Sequence, residues 1–168
     1  TIQVQVYLNA TVTGLTDCQV STIRRATNTA LGSYIKAINY PQTMNSTGIS
    51  TVDTLPRDSN EAYLSIMAHN GGGKITGGEC VVNGNSVIDP ISQELDDYIV
   101  NARGLAAVDG VFNYSFSDGS IKGILPMQGV TELRLKTTFG TAPENSNYDL
   151  IAVSIRNVPA QMLAAVRA

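Results

Sequence analysis

Histidine occurs once in the 168 residues, as His69, and cysteine twice, as Cys18 and Cys80. A single imidazole with no orienting group nearby in sequence does not support a Ser–His–Asp or Cys–His catalytic set. One histidine and two distant thiols also fall short of the roughly four ligands of a closed zinc site. No metal and no cofactor is therefore expected. Two cysteines allow one disulfide or none, and the expected role of each is a small, buried, reduced side chain. Charge is scarce as well, with Asp, Glu, Lys and Arg making up 15% of the chain against about 25% in ordinary soluble domains. A surface covered by copies of the same chain would account for this, because interface cores are depleted in charge. No apolar run reaches the length of a membrane span or a signal core, and the chain reads as soluble, without a membrane partner. The net charge of −3 gives no global attraction to nucleic acid.

Apolar periodicity, by contrast, is abundant. From Leu15 to Tyr40, Val20, Ile23, Thr27, Ala30, Leu31, Tyr34, Ile35 and Ile38 recur at helical spacing. Thr16 and Gln19 have capping-box spacing, and Pro41 forbids continuation. The pattern predicts a long N-terminal helix. A second helix is predicted over Pro90 to Arg103, with Asp89 as cap, Pro90 in the first turn, Gly104 as stop and Ile91, Leu95, Tyr98, Ile99 and Ala102 buried. A short third helix is expected at Ala160 to Arg167. Alternating segments predict strands at Ile2–Leu8, Glu61–His69, Lys74–Val82, Val111–Phe116, Ile121–Leu125, Val130–Phe139 and Tyr148–Arg156. Apolar residues on both faces of the last of these suggest a central strand or one covered by a partner. The order implies an α+β fold, a mostly antiparallel sheet with the long N-terminal helix and the second helix packed on one face, in a single domain spanning 1–168.

Three local patterns invite a chemical reading. Gly71-Gly72-Gly73-Lys74 resembles part of a phosphate-binding loop, but Ala68 stands at the first glycine and Ile75 at the hydroxyl position, so a hairpin connection is expected instead. Glu94, Asp96 and Asp97 lie too splayed on a helix to hold a cation and read as a solvated face. Thr1 directly before a strand resembles an N-terminal nucleophile hydrolase, in which the α-amine is the base. No orienting group for it can be placed.

Basic residues are unevenly distributed: from position 121 onward there are five against three acidic residues, whereas positions 1–120 hold six against eleven. Lys122, Arg134, Lys136 and Arg156 fall on the C-terminal strands and are the candidate contacts for nucleic acid. Pro41 to Asn60 is a polar stretch whose few apolar anchors, Met44, Ile49, Val52 and Leu55, cannot offset the cost of ordering it alone, about 1–2 kcal/mol per backbone residue. With only a weak strand candidate at Ile49 to Leu55, it is expected to be an extended or hairpin arm packing on a neighbouring subunit. Together these features point to a self-assembling structural protein, a virion coat or phage structural subunit that forms homo-oligomers, located in the virion or else in an extracellular filament. A binding module and a Thr1 hydrolase are the rival readings.

Overall fold

Strands account for most of the described residues. The computed structural model describes residues 32–70, 74–117 and 123–157. These form β1 (Tyr34–Thr43), β2 (Gly48–Val52), β3 (Glu61–His69), β4 (Ile75–Val82), β5 (Asn85–Ser92), β6 (Val111–Ser115), β7 (Leu125–Pro126), β8 (Leu133–Phe139) and β9 (Asn147–Arg156), with one α-helix, α1 (Gln93–Ala102), among the described residues. One sheet has the order β1-β9-β3-β6, with the short β7 also on β3, and the other has the order β2-β8-β4-β5. Every pairing is antiparallel. Apart from the β4–β5 hairpin, turned by Asn83 and Gly84 at positive φ, each link among the eight main strands crosses between sheets. That is the jelly-roll order.

The fold is mostly β, which corrects the expected α+β arrangement of helices on a sheet. Tyr34 to Tyr40, the last two turns of the predicted N-terminal helix, is strand β1, paired without interruption to β9. Ile35 and Ile38 fit a helical spacing, but Tyr34-Ile35-Lys36-Ala37-Ile38-Asn39-Tyr40 is rich in β-branched and aromatic residues. Ile38 and Tyr40 face one side while Ile35 and Ala37 face the other. Pro41 does not end a helix: it sits within β1, an edge strand, where its missing N–H costs no ladder bond. The rest of that predicted helix, the Ile2–Leu8 strand and the Ala160–Arg167 helix lie outside the described residues.

The second predicted helix is also not formed as expected. Asp89, Pro90, Ile91 and Ser92 complete the edge strand β5. The helix starts at Gln93, with Ser92 as cap, its hydroxyl accepting from the Leu95 N–H at 3.3 Å. What holds the end of β5 extended is the ladder with β4, where Ile91 lies opposite Gly78 and Ser92 opposite Gly77.

The core lies between the sheets. Tyr63, Ile66, Phe112, Tyr114, Leu150 and Ala152 come from one layer, and Val52, Ile75, Cys80, Leu133, Leu135 and Phe139 from the other. Phe139 and Tyr148 meet across the gap with centroids 4.9 Å apart and ring planes inclined at 59°. Tyr114 on β6 reaches across to donate to the Lys136 carbonyl at 2.8 Å, and the Thr137 hydroxyl lies 2.7 Å from the same phenol oxygen. The Tyr148 and Ser50 hydroxyls join β9 to β2 at 2.8 Å. These bonds satisfy buried phenols while tying the layers together. Burial holds the Tyr114 and Tyr63 phenols well above their ordinary pKa, so both remain donors. Leaving room for the rings of Phe112 and Tyr114 is Gly78 on β4. A Cβ there would lie 2.5 Å from Phe112 Cε1 and 2.7 Å from the Tyr114 oxygen.

Candidate functional site

Pro41 to Asn60 is largely part of the sandwich. Its first residues complete β1 and Gly48–Val52 is β2, whose alternation turns Ser50 and Val52 inward and Ile49 and Thr51 outward. Of the four expected anchors, Val52 and Leu55 lie in the chain's own core, Met44 packs against its edge, and Ile49 faces outward, 60% exposed. Ile49 is thus the one of the four that faces away from the core.

The candidate basic residues divide between the two sheets. Arg134 and Lys136 share the outer face of β8, where Arg134 pairs with Glu132 and Lys136 Nζ lies 2.9 Å from Glu79 Oε2. Arg156 ends β9 in the other sheet. Its guanidinium meets the buried Glu61 carboxylate at 3.2 Å and Asp58 at 3.7 Å, and Glu61 also accepts from the Ser154 hydroxyl. Burial and the Glu61 charge together raise the pKa of nearby Tyr40. This cluster closes the end of the β1-β9-β3 sheet. Lys122 and Thr1 lie outside the described residues.

The feature that sequence reasoning misplaced is the face of α1. Of the stripe expected to be buried, Tyr98 is 71% exposed and Leu95 and Ala102 are exposed beside it, whereas Ile91 and Ile99 are half-buried, and Asp96 is 2% exposed. The expected solvated acidic face therefore holds only in part. Asp96 Oδ2 accepts from the Asn113 backbone N–H at 2.9 Å and from its side-chain amide at 3.1 Å. Gln93 donates to the Val111 carbonyl at 2.7 Å, and Arg103, just past the helix, to the Ser115 hydroxyl at 2.6 Å. Val111 to Ser115 is β6, an edge strand. Its outward backbone groups are met by polar side chains of α1, which caps the edge as a further strand would. Burial raises the pKa of Asp96, and the two bonds from Asn113 oppose that rise. The spacing of Gln93, Asp96, Val100 and Arg103 was visible in the sequence as a second, largely polar stripe. Between α1, the segment after it and the outer face of β3 and β6 runs a groove of about 430 Å³, lined by Met67, Val100, Val108 and Val111 among others.

Among the described residues no three His, Cys, Asp or Glu side chains converge as metal ligands. The surface is one of capped and open strand edges. Residues 34–155, the span from β1 to the end of β9, match the family described as the viral coat protein P2 C-terminal domain. The chain belongs to that family. It is a structural protein of the virion. The fold is shared with the major capsid protein P2 from bacteriophage PM2, at a TM-score of 0.68 and 19% identity over 80% of this chain and 49% of that one. The STIV MCP follows the same fold at 0.60 and 15% identity, covering 79% of this chain and 44% of the other. The PBCV-1 virus capsid, in a quasi-atomic model, does so at 0.53 and 10%, covering 72% and 46%. The chain thus spans about half the length of the capsid chains it resembles. No curated protein matches it in sequence.

Proposed function

We propose that the chain is one β-sandwich of a capsid shell and works by assembling with copies of itself. The observation that carries this reading is the family match running the length of a complete jelly roll. The low charge of the chain, read from the sequence as a sign of self-covered surface, supports it. Analytical ultracentrifugation across a concentration series tests it. Reversible or stable oligomers are expected, and a species that stays monomeric at the highest concentration would overturn the proposal.

A finer reading places nucleic acid against the outer face of β8. It is supported by Arg134 and Lys136 two residues apart on that face, and weakened by the carboxylate each already holds. Replacing both by Gln should reduce co-purifying nucleic acid and lower the salt dependence of binding by about two phosphate contacts. Unchanged nucleic-acid content would make the face purely structural.

A further inference from the structure

The eight large apolar side chains that stand exposed among the described residues are confined to the two lateral sides of the sandwich. Tyr34 and Ile35 on β1 and Ile49 on β2 occupy one side. Val87 on β5, Leu95 and Tyr98 on α1, and Leu105 and Val108 after it occupy the other. The sheet orders place these groups apart, since β1 and β2 begin the two sheets and β6 and β5 end them. Single exposed apolar residues need no explanation, but two grouped sets on opposite flanks of one domain do.

The two flanks differ in backbone and in charge. At the β6 flank the open edge is already capped by Gln93 and Asp96, so what α1 offers outward is side chains: the ridge of Leu95, Tyr98 and Ala102 continued by Leu105. At the β1 flank no strand among the described residues pairs with the outer side of β1. Pro41 can stand in this strand only with its nitrogen turned away from β9, so the backbones of Ile35, Ala37 and Asn39, at the same parity, also face outward. Besides Asp96, which is buried against β6, residues 85–117 carry four carboxylates, Asp89, Glu94, Asp97 and Asp109, against Arg103 alone, whereas residues 34–52 carry one charge, Lys36. Two α1 flanks brought face to face would set like charge against like. An α1 flank against a β1/β2 flank sets an acid-rimmed apolar ridge against an apolar surface with a single cation.

We infer that the α1 flank of one copy docks on the β1/β2 flank of the next, a head-to-tail contact between unlike surfaces rather than a twofold pair. The inference rests on the coat reading above and names the surface through which it is carried out. The test uses two variants of the full chain, Tyr98→Asp with Leu105→Asp, and Ile35→Asp with Ile49→Asp, each checked for native circular dichroism. Each alone should lose self-association by about 100-fold or more, as for central apolar anchors of an interface. Mixed, they should form a one-to-one heterodimer, because each retains the flank that the other lacks. If Ile35→Asp disturbs β1, Ile49→Asp alone serves as the second variant. A mixture that stays monomeric, or variants that assemble like the wild type, would overturn the inference while leaving the coat reading in place. A monomeric wild type would remove the coat reading itself and this contact with it.

Discussion

Replacing Gly78 by alanine should destabilise the sandwich by crowding two buried rings. The new Cβ would meet Phe112 Cε1 at 2.5 Å, the Tyr114 oxygen at 2.7 Å and Phe112 Cζ at 2.9 Å, all well inside contact distance. Neither ring has space to retreat, since both are fully buried and pack edge to face with centroids 4.9 Å apart. Moving Tyr114 would also strain its bond to the Lys136 carbonyl and its contact with the Thr137 hydroxyl. Overpacking of this kind costs roughly 1–3 kcal/mol, and a weakened buried hydrogen bond adds about 1 kcal/mol. The expected loss is about 2–4 kcal/mol, read from urea unfolding at low protein concentration with an unchanged slope. A thermal midpoint lower by roughly 5–15 °C should accompany it. Because two of the three close atoms belong to Phe112, the double variant Gly78→Ala, Phe112→Leu should lose at least about 1 kcal/mol less than the sum of the singles. A Gly78→Ala protein within about 0.5 kcal/mol of wild type, or strict additivity in the cycle, would show that the sheets do not approach as described.

Asp96 supplies a pH-dependent test. Its pKa is raised in the folded state, so this carboxyl favours folding most below the ordinary aspartate pKa, and that contribution is lost as pH rises through the raised value. Asp96→Asn keeps an acceptor for Asn113 and should flatten the fall in melting temperature above about pH 4, whereas Asp96→Ala strands the Asn113 N–H and should cost about 1–3 kcal/mol; identical pH profiles for wild type and Asp96→Asn would refute the assignment. Burial pushes the Cys80 thiol up to about 12, leaving roughly one part in ten thousand as thiolate at pH 8. In a Cys18→Ser background it should resist a disulfide reagent until denaturant is added, and prompt reaction of the folded protein would contradict the packing. Arg156→Gln removes the cation facing buried Glu61 and should lower stability by about 2–4 kcal/mol, measurable by the same urea titration, with a neutral result placing Glu61 in water.

Much of the sheet was legible because a half-buried strand writes its burial directly into alternate residues. Leu133, Leu135 and Phe139 point inward from β8 in the order the alternation implied, and β9, apolar on both faces, is a central strand. Helical periodicity misled where it was carried by few residues. Ile35 and Ile38 stand three apart on a strand as readily as on a helix, and only the pairing with β9, contributed from more than a hundred residues away, decides between them. The α1 stripe misled for a different reason. Apolar spacing reveals which residues want covering, but not whether their own chain or a neighbour covers them. In α1 the inward positions are taken by Gln93 and Asp96, whose partners are backbone groups of an edge strand that no local pattern could announce. The polar stretch 41–60 showed its strand only weakly, as the candidate Ile49 to Leu55, because β2 buries only Ser50 and Val52 of its five residues.

The pairing of β1 with β9 also sets the pace at which the molecule can form. Tyr34 lies opposite Arg156, so the sheet that holds β1, β9, β3 and β6 cannot be completed until nearly the whole described chain is available. Closing such a loop is entropically costly before any contact rewards it, and domains dominated by non-local strand pairs fold on the millisecond-to-second scale. During synthesis β3 can pair with β6, and β4 with β5 and β8, while β1 waits for β9. A coat chain made in many copies at once therefore passes through a stage in which the β1 strand of one molecule can meet the β3 strand of another, and slow, dilute refolding should recover more native protein than fast, concentrated refolding.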